Sequence, residues 1–426
     1  MATFYVSPTG NNANAGTLTA PFLTINKGVS VCVAGDTLLV RASTYVESLQ
    51  YFSGFTNLGG STWSNTVRIA AYPGSGTVEA VWMKPSTSAE QVLRFGLSQK
   101  YFEFDGINLD GANVKYDVVK IDWGGAPNYA HHIRIKNATI KSVHANKGAF
   151  YQAIIATAID NFPSIGSNEF QKLTITGHGW ESHDQVFYLQ SRDNLIENCD
   201  VSDFAAGGCE PYNAIAGDTE VTGNIIRNNY FHDSAQTATT LVTGHRGITV
   251  AGKRNQIYNN VITRLAGNGT YPQNENALWI WGSSNLVANN TVIYVNGGGI
   301  VIGSQDAGQA IGNTVRNNIA YGSSGSTVGN FQLRNSSGTI QDHNLFGTDP
   351  RVVSTADFHL TAVSAAIDTG VTISQVTTDH DGIARPQGAA YDLGAYEYVS
   401  SASTGLITIH YPACGPSVNV HVSQGW

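Results

Sequence analysis

Five short runs between Asn194 and Asn318 share one pattern of apolar and polar positions: NLIENC at Asn194, NIIRNN at Asn224, NQIYNN at Asn255, NLVANN at Asn285 and NTVRNN at Asn313. From first residue to first residue the intervals are 30, 31, 30 and 28, which marks an internal repeat. Ile196, Ile226, Ile257, Val287 and Val315 share one apolar slot, a polar pair follows, and β-formers come next. Alternation of this kind spells strands, so each repeat predicts one coil of a parallel β-solenoid. The polar pair puts Asn198, Asn228, Asn259, Asn289 and Asn317 in one column, with Cys199, Asn229, Asn260, Asn290 and Asn318 beside it. A side-chain amide both donates and accepts, so amides stacked about 4.8 Å apart predict a hydrogen-bonded ladder.

Walking the column outward extends the stack: FEFDGINL contributes Asp105, HIRIKNATI Asn137, FQKLTI Lys172 and TIQDHNLF His343. Roughly eight coils are then visible, with one or two more before them, and the rod is on the order of 40 to 50 Å long. A second strand column precedes the amides and reads VFYLQS from Val186, GITVAG from Gly247, ALWIWG from Ala277, GIVIGS from Gly299 and FQLRNS from Phe331. Strict alternation turns Phe187, Ile248, Leu278 and Ile300 inward and Tyr188, Thr249, Trp279 and Trp281 outward. Two outward tryptophans on one strand predict either a covering loop or a platform for the apolar faces of sugar rings.

Ahead of the repeats, Thr24 to Val33 predicts a short amphipathic helix and Asp36 to Arg41 a strand. A helix there would cap the exposed first coil. The expected organisation is an N-terminal cap with the first coil (1–65), the stacked coils (66–346), a closing segment that folds back over the last coil (347–398), and a linker and tail (399–426). In that tail GLITIHYPACGPSVNVHVSQGW reads as an added strand pair or as an appendage without a place in the fold.

The opening FYVSPTGNNANAGTLTAPFLTINKGVSVCVAGDTLLV resembles the N-terminal segment of pectate-lyase-like proteins. The closing stretch, with Asp368, Asp381, Arg385, Pro386, Asp392 and Glu397, resembles that of secreted bacterial β-helix proteins. The resemblance implies an all-β fold, the right-handed parallel β-helix, and commonly a polysaccharide-cleaving activity.

Glycine at 46 residues and charged residues at 13% suit tight turns around a stacked core. A net charge of −8 argues against a general nucleic-acid or anionic-membrane surface, and no apolar run is long enough to span a membrane. MATFYVSPTG enters a strand without a signal peptide, so the reading is a secreted or cell-surface protein whose export signal has been removed, or a cytosolic or virion protein. The four cysteines have no metal-ligand spacing, and Cys199 in a ladder slot reads as a buried filler rather than a partner for Cys209. No cofactor is expected. Asp105, Asp110, Asp117 and Asp122 offer oxygens to calcium but lack a dense acidic loop.

The densest chemistry lies just before the second strand column, in GHGWESHDQ (Gly177 to Gln185), GGCEPYN (Gly207 to Asn213), TGHRG (Thr243 to Gly247) and PQNENA (Pro272 to Ala277). By simple alternation Asp184, His245 and Glu275 share one outward slot, with Tyr212 joining them on the irregular coil between. Asp184 and Glu210 would then sit on neighbouring coils about 5 Å apart. Plain structural roles compete for each: Asp184 and His183 could close a turn, Glu210 could be solvated, His178 could be a loop residue, Glu275 could end an amide stack, and Lys253 sits in a turn.

Three functions fit. A lyase acting by β-elimination would use His245 as base, Arg246 to hold the uronate carboxylate, Tyr188 or Tyr212 as proton donor, and Trp279 with Trp281 as the subsite floor. His178, His183 and Lys253 would add substrate contacts. A glycoside hydrolase would use two of Asp184, Glu210 and Glu275. A glycan-binding rod would use the aromatics alone. Polysaccharide or oligosaccharide is the expected partner throughout, and the oligomeric state is left open.

Overall fold

The structure, a computed structural model, describes residues 1–86, 89–122, 128–142, 151–156, 166–180, 183–212, 221–235, 245–267, 275–304, 310–324 and 329–400. The strand pair expected in the tail, Cys414, and parts of the four site loops (181–182, 213, 243–244 and 272–274) lie outside these residues.

The chain is a parallel β-solenoid. Among the described residues one sheet stacks ten strands, one per coil, including Gln185–Leu189, Gly207–Pro211, Arg246–Val250, Asn276–Ile280, Gly298–Ile302 and Phe331–Leu333. At about 4.8 Å per step, nine steps span roughly 43 Å. The remaining faces come from paired short strands such as Ile225–Arg227 and Tyr230–His232, which a single residue in the left-handed region joins.

That joining residue is the column the repeat pointed to. Asn137, Lys172, Asn198, Asn228, Asn259, Asn289, Asn317 and His343 all have φ between 51° and 57°. Asparagine tolerates this conformation better than most side chains, which explains its recurrence. At the start of the column register gives Gly106 rather than Asp105, since Asp105 pairs with Lys136. The amide ladders run through the two columns that flank it, one of them the expected neighbouring column of Asn229, Asn260, Asn290 and Asn318. One contains Asn168, Asn194, Asn224, Asn255, Asn285 and Asn313, and the other Asn229, Asn260, Asn290, Asn318 and Asn344. In each step the lower amide oxygen accepts from both the backbone N–H and the side-chain NH₂ above it, as Asn290 does from Asn260 at 3.1 and 3.0 Å. Cys199 is a free, buried thiol that continues the second ladder through its backbone N–H to Asn229.

The core is the stacked apolar slot, with Ile196, Ile226, Ile257, Val287 and Val315 in direct register and fully buried. The helix Ile25–Val31 packs on the first strands, with Gly28 close against Leu38 and Val6. The described part of the closing segment packs against several coils. It runs along the flank, where the joining asparagines receive it: Asn259 donates to Thr378 O, Asn289 to Asp392 O and Asn317 to Val371 O. Its apolar residues pack on the same coils, as Phe358 does with Val261 and Ile293, and Leu360 with Ile319. No helix of the described residues is long and apolar enough to cross a membrane.

Candidate functional site

Register places Tyr188 opposite Glu210 and Thr249 opposite Trp279, and the pairing of Cys209 with Ile248 puts Glu210 next to Thr249. The irregular run GGCEPYN is therefore an ordinary coil of the ten-stranded sheet. Glu210 is the partner of Tyr188, not of Asp184. Tyr212 follows in the next outward slot, where its ring meets Trp281 edge-on at 6.0 Å and Tyr188 at 6.3 Å.

Upstream of this column the alternation breaks. Val186 and Ala277 belong to the hydrophobic core together with their neighbours Phe187 and Leu278. At the matching glycines an added Cβ would lie 2.5 Å from Phe231 Cδ1 at Gly208 and 2.7 Å from Ile262 Cγ2 at Gly247, both core side chains. Each strand thus turns two successive positions inward, which reverses the facing of everything before them. Gln185, Gly207, Arg246 and Asn276 come onto the outward face, while Asp184, Ala206, His245 and Glu275 turn into the corner. The slot expected to carry the site is therefore interior.

Corner residues are engaged accordingly. Asp184 accepts from the backbone N–H of Tyr151 at 3.0 Å and of Trp180 at 2.7 Å, which holds the preceding turn. His178 is buried, with Nδ1 2.8 Å from Ser142 Oγ. Glu275 lies against Gly267. His245 is 2% exposed, and among the described residues neither ring nitrogen has a hydrogen-bond partner. Burial, reinforced by Arg246, pulls its pKa down to about 4, so the imidazole is neutral. His183 is exposed and its carbonyl accepts from Gln152. Lys253 pairs through its backbone with Val221, beyond the far end of the strand.

On the outward face the groups converge on Glu210. The Arg246 guanidinium lies 3.9 Å from Glu210 Oε1, and the Gln185 amide donates to the carboxyl. Gly207 makes room for that amide, because a Cβ there would sit 1.7 Å from Gln185 Oε1. Glu210 is 6% exposed, and burial raises its pKa despite Arg246. Burial, with Glu210 adding to it, also pushes the Tyr188 phenol up, so that it keeps its proton. Two donors beside these groups, Thr249 Oγ1 and Trp281 Nε1, are buried without partners among the described residues. Trp279 is not a platform: it is 3% exposed, packs on Val301 and Trp281, and donates to Gly303 O at 2.9 Å. Tyr188, Tyr212 and Trp281 are the half-exposed aromatics.

The aspartates weighed for calcium do not converge. Asp105 bonds Arg68 and Asn137, Asp110 lies 3.0 Å from Lys84, Asp122 2.6 Å from Arg94, and Asp117 accepts from Gln152 N. Cations and backbone already use these oxygens, so this set does not fit a calcium ion. Among the described residues no group of three or more His, Cys, Asp or Glu is arranged to hold a metal.

A family model described as right handed beta helix region matches residues 152–346. No curated protein sequence matches the chain. Among solved structures the chain is similar to a pectate lyase, Pel9A, at 16% identity and a TM-score of 0.59, covering 93% of this chain and 96% of that one. It is also similar to a rhamnogalacturonan lyase at 13% identity and a TM-score of 0.53, covering 92% and 96%. At these identities the likeness is one of fold.

Proposed function

Proceeding from a chain that has the pectate-lyase-like right-handed parallel β-helix fold, we propose that it is a carbohydrate-active enzyme that cleaves a uronate-containing polysaccharide by β-elimination. The observation that carries the reading is the meeting of Tyr188, Glu210 and Arg246 on one aromatic-edged face. Elimination needs a base for the proton beside the carboxylate, an acid for the leaving oxygen, and positive charge for the developing enolate. Glu210, with its pKa raised towards the working range, is the base; Tyr188, about one coil spacing away and protonated, is the acid; Arg246 binds the uronate carboxylate. The Thr249 and Trp281 donors, without partners among the described residues, offer hydrogen bonds to sugar hydroxyls. His245, in the corner slot, stands behind this face rather than on it.

Hydrolysis is the weaker reading on geometry. Counting four residues along the strand and one or two coils along the axis, Asp184 and Glu275 stand roughly 14 and 16 Å from Glu210 by backbone position. Paired carboxylates in glycosidases stand about 5 to 9.5 Å apart. The deciding experiment incubates the protein with uronate-containing and neutral polysaccharides, following new reducing ends and the ultraviolet absorbance of an unsaturated uronate together. Both rising supports elimination. Reducing ends alone would replace it with hydrolysis, and binding without either would leave a glycan-binding rod.

A further inference from the structure

We propose that Trp63, Lys100, Tyr101, His131 and His132 form a second saccharide-binding site, which takes an acidic sugar unit of a polymer and anchors the chain away from the face at Tyr188. The site lies on the corner of the coil just before the ladder asparagines. Register aligns Tyr101, His132, Ser167, Asp193, Gly223 and Arg254 in one column there, and all six have φ between 48° and 71°. Serine, aspartate and glycine fit this conformation. Two aromatic rings on consecutive coils are outliers, and such outliers gather where a side chain serves a ligand. In a regular strand His131 and His132 would point to opposite sides. The left-handed residue His132 instead brings both imidazoles together, with their Nδ1 atoms 2.5 Å apart.

The rings form a half-exposed shelf. Tyr101 meets His132 with centroids 4.5 Å apart, and Trp63 from the coil before meets Tyr101 edge-on at 5.5 Å. Rings with a polar rim suit a sugar, which has an apolar face and a hydroxylated edge. The Arg134 guanidinium lies 4.1 Å from the Trp63 ring and is tied to Glu103 and Glu169, so it steadies the indole. Lys100 is the register partner of His131 and forms no salt bridge among the described residues, which leaves its charge for a carboxylate. Burial, with His132 and Lys100 adding to it, draws the His131 pKa down to about 4, and burial lowers that of His132, so both rings are neutral. One Nδ1 then donates to the other, and of the two Nε2 atoms one carries a proton and one is bare. That pair complements a sugar hydroxyl, which donates and accepts. Asp193 is the residue in register with His132 on the coil of Tyr188, two coils on. Five positions along the coil and two coils along the axis put the two sites roughly 20 Å apart by backbone position. A polymer spans that distance and a short oligomer does not. The choice of an acidic sugar rests on the uronate reading of the face at Tyr188 as well as on Lys100, whereas the shelf binds whether or not that face cleaves.

Affinity electrophoresis of the full chain through gels containing polygalacturonate, alginate or a neutral galactan tests this, with Tyr188→Phe in every protein to stop cleavage. The expected result is retardation by a uronate polymer and not by galactan. Adding Lys100→Gln or Tyr101→Asn should weaken it about tenfold or more. Circular dichroism should stay that of the folded chain, since asparagine suits the left-handed backbone. In the wild-type background Tyr101→Asn should raise KM for the retarding polymer about tenfold, while kcat and both constants for a short oligouronate stay unchanged. No retardation by either uronate polymer, or retardation that neither substitution alters, would overturn the second site. Equal retardation by galactan would overturn its acidic ligand. Failure of the catalytic reading is distinguishable: wild type then releases no unsaturated uronate, while the retardation and its loss in the two variants persist.

Discussion

Tyr188 and Glu210 are direct partners in the parallel ladder, on consecutive coils and on the same outward face. Their environments raise both pKa values, so a carboxyl with a lifted pKa stands beside a phenol that holds its proton. Tyr188→Phe removes one oxygen and no packing. It is expected to lower turnover about a hundredfold or more, and Glu210→Gln by at least as much, with circular dichroism unchanged. Activity should rise with pH as Glu210 ionises, with its acid limb above the ordinary glutamate value of 4.5.

Glu210 should also oppose stability at neutral pH. Its folded pKa is raised, so the neutral form's contribution is fully present below the unfolded pKa and is lost as pH rises through the folded one. Glu210→Gln carries no such loss. The melting temperature of the variant should therefore exceed that of the wild type by a margin that widens from about pH 4.5 towards neutrality. A margin that stays flat with pH would contradict the assigned shift.

His245 has the opposite sign. Its folded pKa of about 4 lies below the ordinary 6.5, so stability is full above 6.5 and falls as pH drops towards 4. The loss is on the order of 3 kcal/mol. His245→Leu should flatten that acid limb in urea titrations while turnover stays within about tenfold of wild type, since the proposed base is Glu210 and His245 lies in the corner behind it. A loss of turnover comparable to that of Glu210→Gln would return the base to His245.

The fold was legible because its signals repeat. Ile196 and its four successors mark the inward slot at every turn, and one amide in every repeat keeps register with the next. The site was less legible, since facing upstream of Tyr188 depends on whether Val186, Gly208, Gly247 and Ala277 break the alternation. Two of the four are glycines, which have no side chain to declare a face, and alanine is tolerated on either. Glu210 lost its place for the same reason: on the coil Gly207–Pro211 only Cys209 marks the inside. The course of the closing segment depends on contacts as remote as Arg385 with Asn259, which no local pattern encodes.

Adjacent glycines on that coil should behave differently. At Gly208 a Cβ meets Phe231 and the Gly247 carbonyl at 2.5 and 2.6 Å, so Gly208→Ala is expected to cost about 2 kcal/mol of stability. At Gly207 the obstacle is the end of the Gln185 side chain, which can swing aside. Gly207→Ala should leave stability nearly unchanged and deprive Glu210 of a hydrogen bond that favours its charged form. The acid limb of the pH–rate profile should then move to higher pH.

Asn228 and Asn229 provide a matched pair for the two asparagine roles. Asn228 sits at φ 56° and its amide oxygen has no hydrogen-bond partner among the described residues, so Asn228→Gly should change stability by less than about 0.5 kcal/mol. Asn229 accepts from Cys199 N and donates to Ile196 O and Asn260 Oδ1. Asn229→Ala leaves a buried N–H and a buried carbonyl unsatisfied, at a cost of about 3 kcal/mol. Equal effects in chemical denaturation would mean that the ladder does not run through the column containing Asn229.

Arg385 fastens the closing segment to the coils. Its guanidinium pairs with Glu397 where both side chains are fully buried, and it also donates to Asn259 Oδ1 at 3.2 Å and to Gly394 O at 2.9 Å. Glu397 in turn accepts from the backbone of Gln387 and Asp392. Removing the cation alone strands a buried carboxylate, so Arg385→Met should cost about 3 to 5 kcal/mol. Because the lost contacts all belong to the segment and its seat, the damage should be local. Hydrogen exchange should accelerate in 347–398 and at Asn259, Asn289 and Asn317, while the core slot at Ile196 and the face at Tyr188 stay protected. Uniform acceleration along the whole rod would instead make the segment part of a single cooperative unit with the coils.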